Sequence, residues 1–214
     1  MDSAATTKRK QYKKLLESKD ILIGPGVYDG FSARLVEHLG FESGFISGAG
    51  LSESALGMSD VGVMGLEENL SRSRAMVNCT TIPLQADADT GYGNAVNVHF
   101  TVKQFEQSGV SGIMIEDQVW PKRCGHMKGK NVISREEATQ KIRSAVEARE
   151  DPNFVIMSRT DSFATDGIEE VINRLKAFES VGSDLLFADA LLSLKDMEKV
   201  VNNVSKPLAI NMGF

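Results

Sequence analysis

Two aspartates, Asp87 and Asp89, stand one residue apart in "QADADTGYGN" (85–94), directly after an apolar run. If that run is a strand, residues two apart point to the same side. Carboxylates held that close need a cation or a shared proton between them. Hard oxygen donors suit Mg²⁺, with Mn²⁺ the alternative ion, because Mg²⁺ keeps several waters and takes few protein carboxylates. Glu116, ending the next apolar run in "GIMIEDQ", can complete the shell directly or through water. The competing reading is structural, an aspartate that caps a helix or sits in a left-handed turn. It explains one of the pair well and two poorly.

A second cluster lies in "WPKRCGHMKGK" (120–130), where Lys122, Arg123 and His126 fall within four positions of Cys124. Neighbouring cations lower a thiol's pKa, and such thiols are reactive enough to move protons or attack carbon near neutral pH. One Cys and one His without a second pair make a poor zinc signature. A solvated basic loop with an incidental cysteine is the plainer alternative. "SGAG" (47–50) offers backbone N–H groups from small residues that could grip a carboxylate, or simply a tight turn. Arg159 in "MSRTD" is placed to hold an anionic substrate oxygen, or else to pair with Asp161 or Glu116. His38, His99 and Cys79 lie in or at the ends of helical patterns and read as structural.

These residues need a scaffold, and the apolar runs describe one. Seven strand-length runs, at 21–29, 44–50, 82–89, 112–118, 154–161, 184–190 and 207–212, are apolar on both faces. Between them lie helical patterns at 32–40, 66–78, 96–109, 134–150, 167–182 and 193–203. Strand and helix in strict alternation imply an α/β fold with a parallel sheet. Ser134, three residues before Glu137, has the spacing of a capping box, and Gly40, Gly109 and Gly182 are placed to end helices. The polar residues cluster where strands end: Ser47, Asp87, Asp89, Glu116, Asp117, Arg159, Asp161, Asp189 and Asn211. Convergence on one rim favours a (β/α) barrel over a doubly wound sheet, where ligands use only the switch point.

The bulk numbers set limits. A chain of 214 residues, 42% apolar and 25% charged, with no linker or low-complexity tract, reads as one domain spanning 1–214. A net charge of -5 with no basic face argues against nucleic acid, and no apolar run is long enough for a membrane helix. Two cysteines in unlike settings imply a reduced compartment. The basic start "MDSAATTKRKQYKKLL" reads as a solvated helix in a cytoplasmic protein, with a mitochondrial transit peptide the competing reading.

Taken in order, "GPGVYDGFSARL", "SGAG", "DADTGYGN", "IEDQ", "PKRCGH", "SRTD" and "NM" resemble the isocitrate lyase/phosphoenolpyruvate mutase superfamily, from about residue 20 to the end. The resemblance implies a Mg²⁺-dependent (β/α)₈ barrel that acts on 2-oxo or 2-hydroxy carboxylates through an enolate-like intermediate. It implies Asp87 as a direct metal ligand and Asp89 as a water-mediated one, with Asp60 and Glu116 in the outer shell. Ser47, Gly48, Ala49, Gly125, Arg159, Asp189 and Asn211 would hold substrate oxygens, and Cys124 would be the acid/base, supported by Lys122, His126 and Arg159. A cysteine in that loop points to the C–C lyase branch, with P–C chemistry on a phosphonopyruvate-type substrate as the alternative. Asp189 stands where many relatives carry Glu. Relatives continue past the "NM" strand with an eighth βα unit, so the chain is expected to be a C-terminally shortened barrel. That leaves a non-catalytic binding or assembly partner as a third reading. By resemblance the assembly is a homotetramer.

Overall fold

A computed structural model describes residues 2–18, 20–125, 127 and 129–211. The sheet holds seven parallel strands in sequence order: β1 Gly26–Val27, β2 Gly44–Ile46, β3 Leu84–Asp87, β4 Gly112–Glu116, β5 Val155–Thr160, β6 Leu185–Ala188 and β7 Leu208–Ala209. The helices between them are α2 Gly30–His38, α3 Gly48–Leu51, α4 Leu66–Asn78, α5 Ala95–Ser108, α6 Arg135–Ala148, α7 Phe163–Asp166, α8 Ile168–Ser180 and α9 Leu194–Val201, with α1 Ala4–Leu16 in front. A single π turn, Ser52–Leu56, follows α3. The result is a curled (β/α) barrel in which β1 and β7 each have one strand partner among the described residues.

Side chains alternate across the sheet, and each face has its own apolar cluster. Ile113, Ile115, Ile156, Leu186 and Ala88 pack outward with the helices, alongside Val98, Phe105, Ile142, Val171 and Phe178. Met114, Val155, Met157, Leu185 and Phe187 face inward and form the barrel interior with Tyr12. That two-sided burial is why the strands read as continuous apolar runs. It also fixes which polar groups reach the mouth. Asp87 lies beside Met114 in register, Glu116 beside Arg159, and Arg159 beside Phe187, all on the inward side.

Helix ends follow local chemistry. Ser134 Oγ accepts from Glu137 N at 3.1 Å, while reciprocal capping boxes form at Asp29/Ser32 and Asn94/Asn97. Gly40, Gly109 and Gly182 leave their helices at φ of 86°, 93° and 99°, the left-handed region that glycine enters freely.

Two expectations need correction. The run 21–29 contributes only Gly26–Val27 as strand, and Ile21 and Ile23 are 92% and 62% exposed. Among the described residues β1 pairs with β2 alone, which leaves the outer residues of the run exposed. The N-terminal helix is not simply solvated. Arg9 and Tyr12 are buried, Tyr12 lies within the interior cluster with its hydroxyl on Gln85 Oε1, and Arg9 Nε donates to Val110 O at 3.1 Å. Helix α1 therefore closes the base of the barrel, opposite the polar rim.

Candidate active site

The rim begins with Asp87, the last residue of β3, whose Oδ1 accepts from Asp89 N at 2.9 Å. Asn69 Nδ2, on α4, holds the Asp87 carbonyl at 2.8 Å and also reaches Tyr92 Oη at 2.9 Å. Gly48 lies against the carboxylate so closely that a Cβ there would stand 2.7 Å from Asp87 Oδ2. Asp89 adopts φ 48°, a left-handed conformation that aspartate tolerates better than most residues, and its carbonyl accepts from Glu116 N at 2.9 Å. The "DTGYG" turn and the paired carboxylates are thus one device, not competing explanations.

Lys122, 3% exposed, brings its ammonium between two of these acids. It donates to Asp60 Oδ2 at 2.6 Å and stands 2.8 Å from Asp89 Oδ1 without the angle of a hydrogen bond. Burial raises the pKa of Asp89 to about 6; Lys122 opposes the rise and Asp87 adds to it. Burial also lifts Glu116 well above the usual carboxylate range, against the pull of Arg159. Neither Glu116 oxygen has a hydrogen-bond partner, and its nearest cation is Arg159 Nε at 3.4 Å. Burial works against the charge on Lys122, but Asp87, Asp89, Glu116 and Asp60 outweigh it and raise the ammonium's pKa.

Among the described residues no three His, Cys, Asp or Glu groups are already drawn together around a metal-sized point. The donor set still fits a hard divalent cation. It is all oxygen, it is buried, and it includes atoms on Asp89 and Glu116 that accept no hydrogen bond. Mg²⁺ typically binds through one or two carboxylates and fills its shell with water and substrate, so a tight cage of three is not what it needs.

The other side of the rim is built on Arg159. Its Nε and Nη2 each donate at 2.8 Å to Asp161, its Nη2 lies 3.1 Å from Asp189 Oδ1, and its guanidinium rests 5.3 Å from the Phe187 ring centroid. The ion-pair alternative raised for Arg159 is therefore present. Burial would raise Asp161, but Arg159 and then Lys130 overcome it and hold its pKa at about 2. Asp117, pointing outward from the same rim, accepts from Thr160 Oγ1, Asp161 N and Arg174 Nη1 and braces the end of β5 from behind.

The cysteine loop spans both sides. Cys124, half-buried, is anchored by its N–H to Asp60 O at 2.9 Å, and Arg123 is stapled to Gln118 through its own N–H and carbonyl. A Cβ on Gly125 would stand 2.7 Å from Arg159 Nη2 and from both Asp189 oxygens, so this backbone lies flush on the ion pair. Lys122 does reach the site, but its ammonium contacts carboxylates; His126 lies outside the described residues. "SGAG" forms one helical turn, with Ser47 Oγ accepting from Gly50 N at 3.1 Å and Gly48 and Ala49 in its first turn beside Asp87. Asp189, Asn211 and Gly125 line a cavity of about 190 Å³ with Leu191, Leu192 and Ile210.

Sequence reasoning passed over Lys130, Asn69 and Tyr92. Lys130 stood inside the quoted loop, and a charge count along the rim would have pointed to it: Asp161, Asp189 and Glu116 exceed what one arginine offsets. Asn69 is in the first turn of α4, where nothing local betrays its polar role.

A model of the phosphoenolpyruvate phosphomutase family matches residues 12–213. The chain is 40% identical over 200 residues to 2,3-dimethylmalate lyase of Eubacterium barkeri, covering 94% of this chain and 69% of that protein. Among solved structures it resembles oxaloacetate acetylhydrolase in complex with the inhibitor 3,3-difluorooxalacetate, with a TM-score of 0.93, 37% identity, and 96% of this chain against 71% of that one. It also resembles a phosphonopyruvate hydrolase bound to oxalate and Mg²⁺, with a TM-score of 0.86, 31% identity, and 95% of this chain against 71% of that one.

Proposed function

The chain belongs to the phosphoenolpyruvate mutase/isocitrate lyase superfamily, and we propose that it cleaves a C–C bond in a small 2-hydroxy or 2-oxo dicarboxylate or tricarboxylate, with Cys124 as acid/base. One observation carries this reading: a buried all-oxygen cluster and a half-buried cysteine share one rim, joined through Asp60, which receives both Lys122 Nζ and Cys124 N.

Asp87 and Asp89 would hold a divalent ion such as Mg²⁺, with Asp60 and Glu116 in its outer shell. Bound there, the ion would supply positive charge to the substrate oxygens that become more negative as the C–C bond breaks. The remaining work falls to the chain. The N–H groups of Gly48 and Ala49, at the start of the turn capped by Ser47, offer donors to a substrate carboxylate next to Asp87. Arg159 holds a second oxygen, exchanging part of its contact with Asp161 and Asp189 for substrate. The Cys124 thiol delivers or removes the proton at the carbon left behind. Gly125 and the loop backbone cover the ion pair and limit water at the reacting carbon.

The cavity beside Asp189 is lined by apolar Leu191 and Ile210 and by polar Asp189 and Asn211. Methyl-bearing acids such as 2,3-dimethylmalate or 2-methylisocitrate, for which lyases similar in sequence to this chain are named, are favoured over bare oxaloacetate. The test is turnover of these three and of phosphonopyruvate with Mg²⁺, with products followed by NMR. The expected result is C–C cleavage of a methyl-bearing acid, abolished by EDTA. Turnover of phosphonopyruvate alone would replace the reading with P–C chemistry, and no turnover by folded protein would favour a non-catalytic role.

A further inference from the structure

We propose that Lys130 is a positioning residue for the cysteine loop: its ammonium pins the Gly125 carbonyl to the Asp161–Asp189 pair and so sets where Cys124 stands relative to Arg159. The inference rests on the reading of Cys124 as the acid/base.

Lys130 is 6% exposed, and its three N–H donors each find an oxygen. Nζ donates to Gly125 O at 2.8 Å, Asp161 Oδ1 at 2.9 Å and Asp189 Oδ2 at 2.6 Å. Two of these partners hold charge on the barrel rim, and the third is loop backbone next to the thiol. A lysine whose task was only to neutralise the rim would have no need of the carbonyl.

The geometry leaves the loop little freedom between its fixed points. On one side Cys124 N is tied to Asp60 O, and Lys122 to Asp60 and Asp89. On the other, Gly125 is pressed on Arg159 and Asp189 with no room for a Cβ, and Lys130 holds its carbonyl. Cys124 is the residue between these two anchors. Release of the second anchor would let the thiol swing while the first stays in place. The same change would leave Asp161, Asp189 and Glu116 to Arg159 alone, removing one cation from a buried group, which is the costly way to break such a network.

The test uses the full chain with Cys79→Ala, so that Cys124 is the sole thiol, and measures three things. They are the rate of Cys124 alkylation by iodoacetamide, the melting temperature, and kcat and KM on whichever acid of the panel is turned over. In Lys130→Met, alkylation should quicken about tenfold because the thiol is less held. The value of kcat should fall by about 100-fold with KM changed far less, since misplacement by an ångström has that scale of effect. Lys130→Arg should recover part of both. If Lys130→Met does not fold, Lys130→Gln, which removes the charge and at least two of the three contacts, carries the comparison; it should alkylate faster than the parent with a reduced kcat, and alkylation at the parent's rate would overturn the proposal. A lysine that only supports the fold would lower the melting temperature and leave the alkylation rate of folded protein unchanged, and that result overturns the proposal. If the parent turns over no acid at all, the functional reading fails, while the alkylation arm still decides the role of Lys130.

Discussion

The rim has two carboxylate clusters that close their charge differently. Around Arg159, two aspartates meet two cations. Asp161 and Asp189 are each gripped by both Arg159 and Lys130, and burial fails to raise Asp161, which titrates at about 2. Around Asp87, three aspartates meet Lys122 as the one paired cation among the described residues, Asp89 Oδ1 lacks a hydrogen bond, and burial lifts Asp89 to about 6. Glu116 lies between them, 3.4 Å from Arg159 Nε and with no hydrogen bond to either oxygen. The first cluster is already neutral and holds the shape of the site. The second carries surplus negative charge in a buried place, which is where a divalent cation gains most.

The largest effect that could break this contrast is on turnover. Asp87→Ala should lower kcat at least about 1,000-fold and abolish any rise in melting temperature caused by Mg²⁺, because it removes an oxygen donor that would hold the ion directly. Calorimetric Mg²⁺ binding equal to that of the parent would dissolve the distinction between the clusters. Cys124→Ser should lower kcat by about 100- to 10,000-fold, the scale of a lost proton-transfer group, and leave Mg²⁺ binding intact. Asp161→Asn should act in the opposite sense. It should destabilise the chain by about 3–5 kcal/mol in urea, the cost of breaking a buried pair, with Mg²⁺ affinity little changed.

Gly48→Ala is smaller and more local. Its methyl group would crowd Asp87 Oδ2 at 2.7 Å, costing about 1–3 kcal/mol of overpacking, read as weaker Mg²⁺ binding with the Arg159 cluster untouched. The smallest expected effect is on pH. Asp89 has a raised pKa, so its contribution to stability is present below about 3.8 and is lost as pH rises through about 6. Asp161 has a lowered pKa, so its contribution is present above about 3.8 and is lost as pH falls through about 2. Without metal, melting temperature should therefore fall by a few degrees on either side of about pH 4, and Mg²⁺ should flatten only the higher-pH limb. Equal flattening of both limbs would count against assigning the metal to Asp87 and Asp89.

Much of this contrast was legible in the residues. Strand runs apolar on both faces gave a parallel sheet, and period-two alternation put Asp87, Glu116 and Arg159 on the inner side because Met114 and Met157 precede them there. The limits were physical. The edge run at 21–29 looks like an interior strand, because sequence does not say that only one neighbour will cover it. Lys122 lies two residues from Cys124 in the chain, yet its four-carbon stem carries the ammonium to Asp60 and Asp89. A long side chain's partner is chosen by the fold. Asn69 reaches Asp87 and Tyr92, and Lys130 reaches Asp161 and Asp189, through contacts distant in sequence, so neither role announces itself locally.

The seal at the base of the barrel has a consequence for the order of folding. Arg9 bonds to Asp151, 142 residues along the chain, and Tyr12 packs with Met157, Leu185 and Phe187. At about 5–20 residues per second, α1 waits roughly 7–30 s after its own synthesis before Asp151 is made. During that interval the basic, amphipathic α1 is a free segment, and the inner faces of β3 and β4 have no cover below. Completion of the barrel is thus a late, long-range event, of the kind that makes a chain slow to fold and dependent on chaperones.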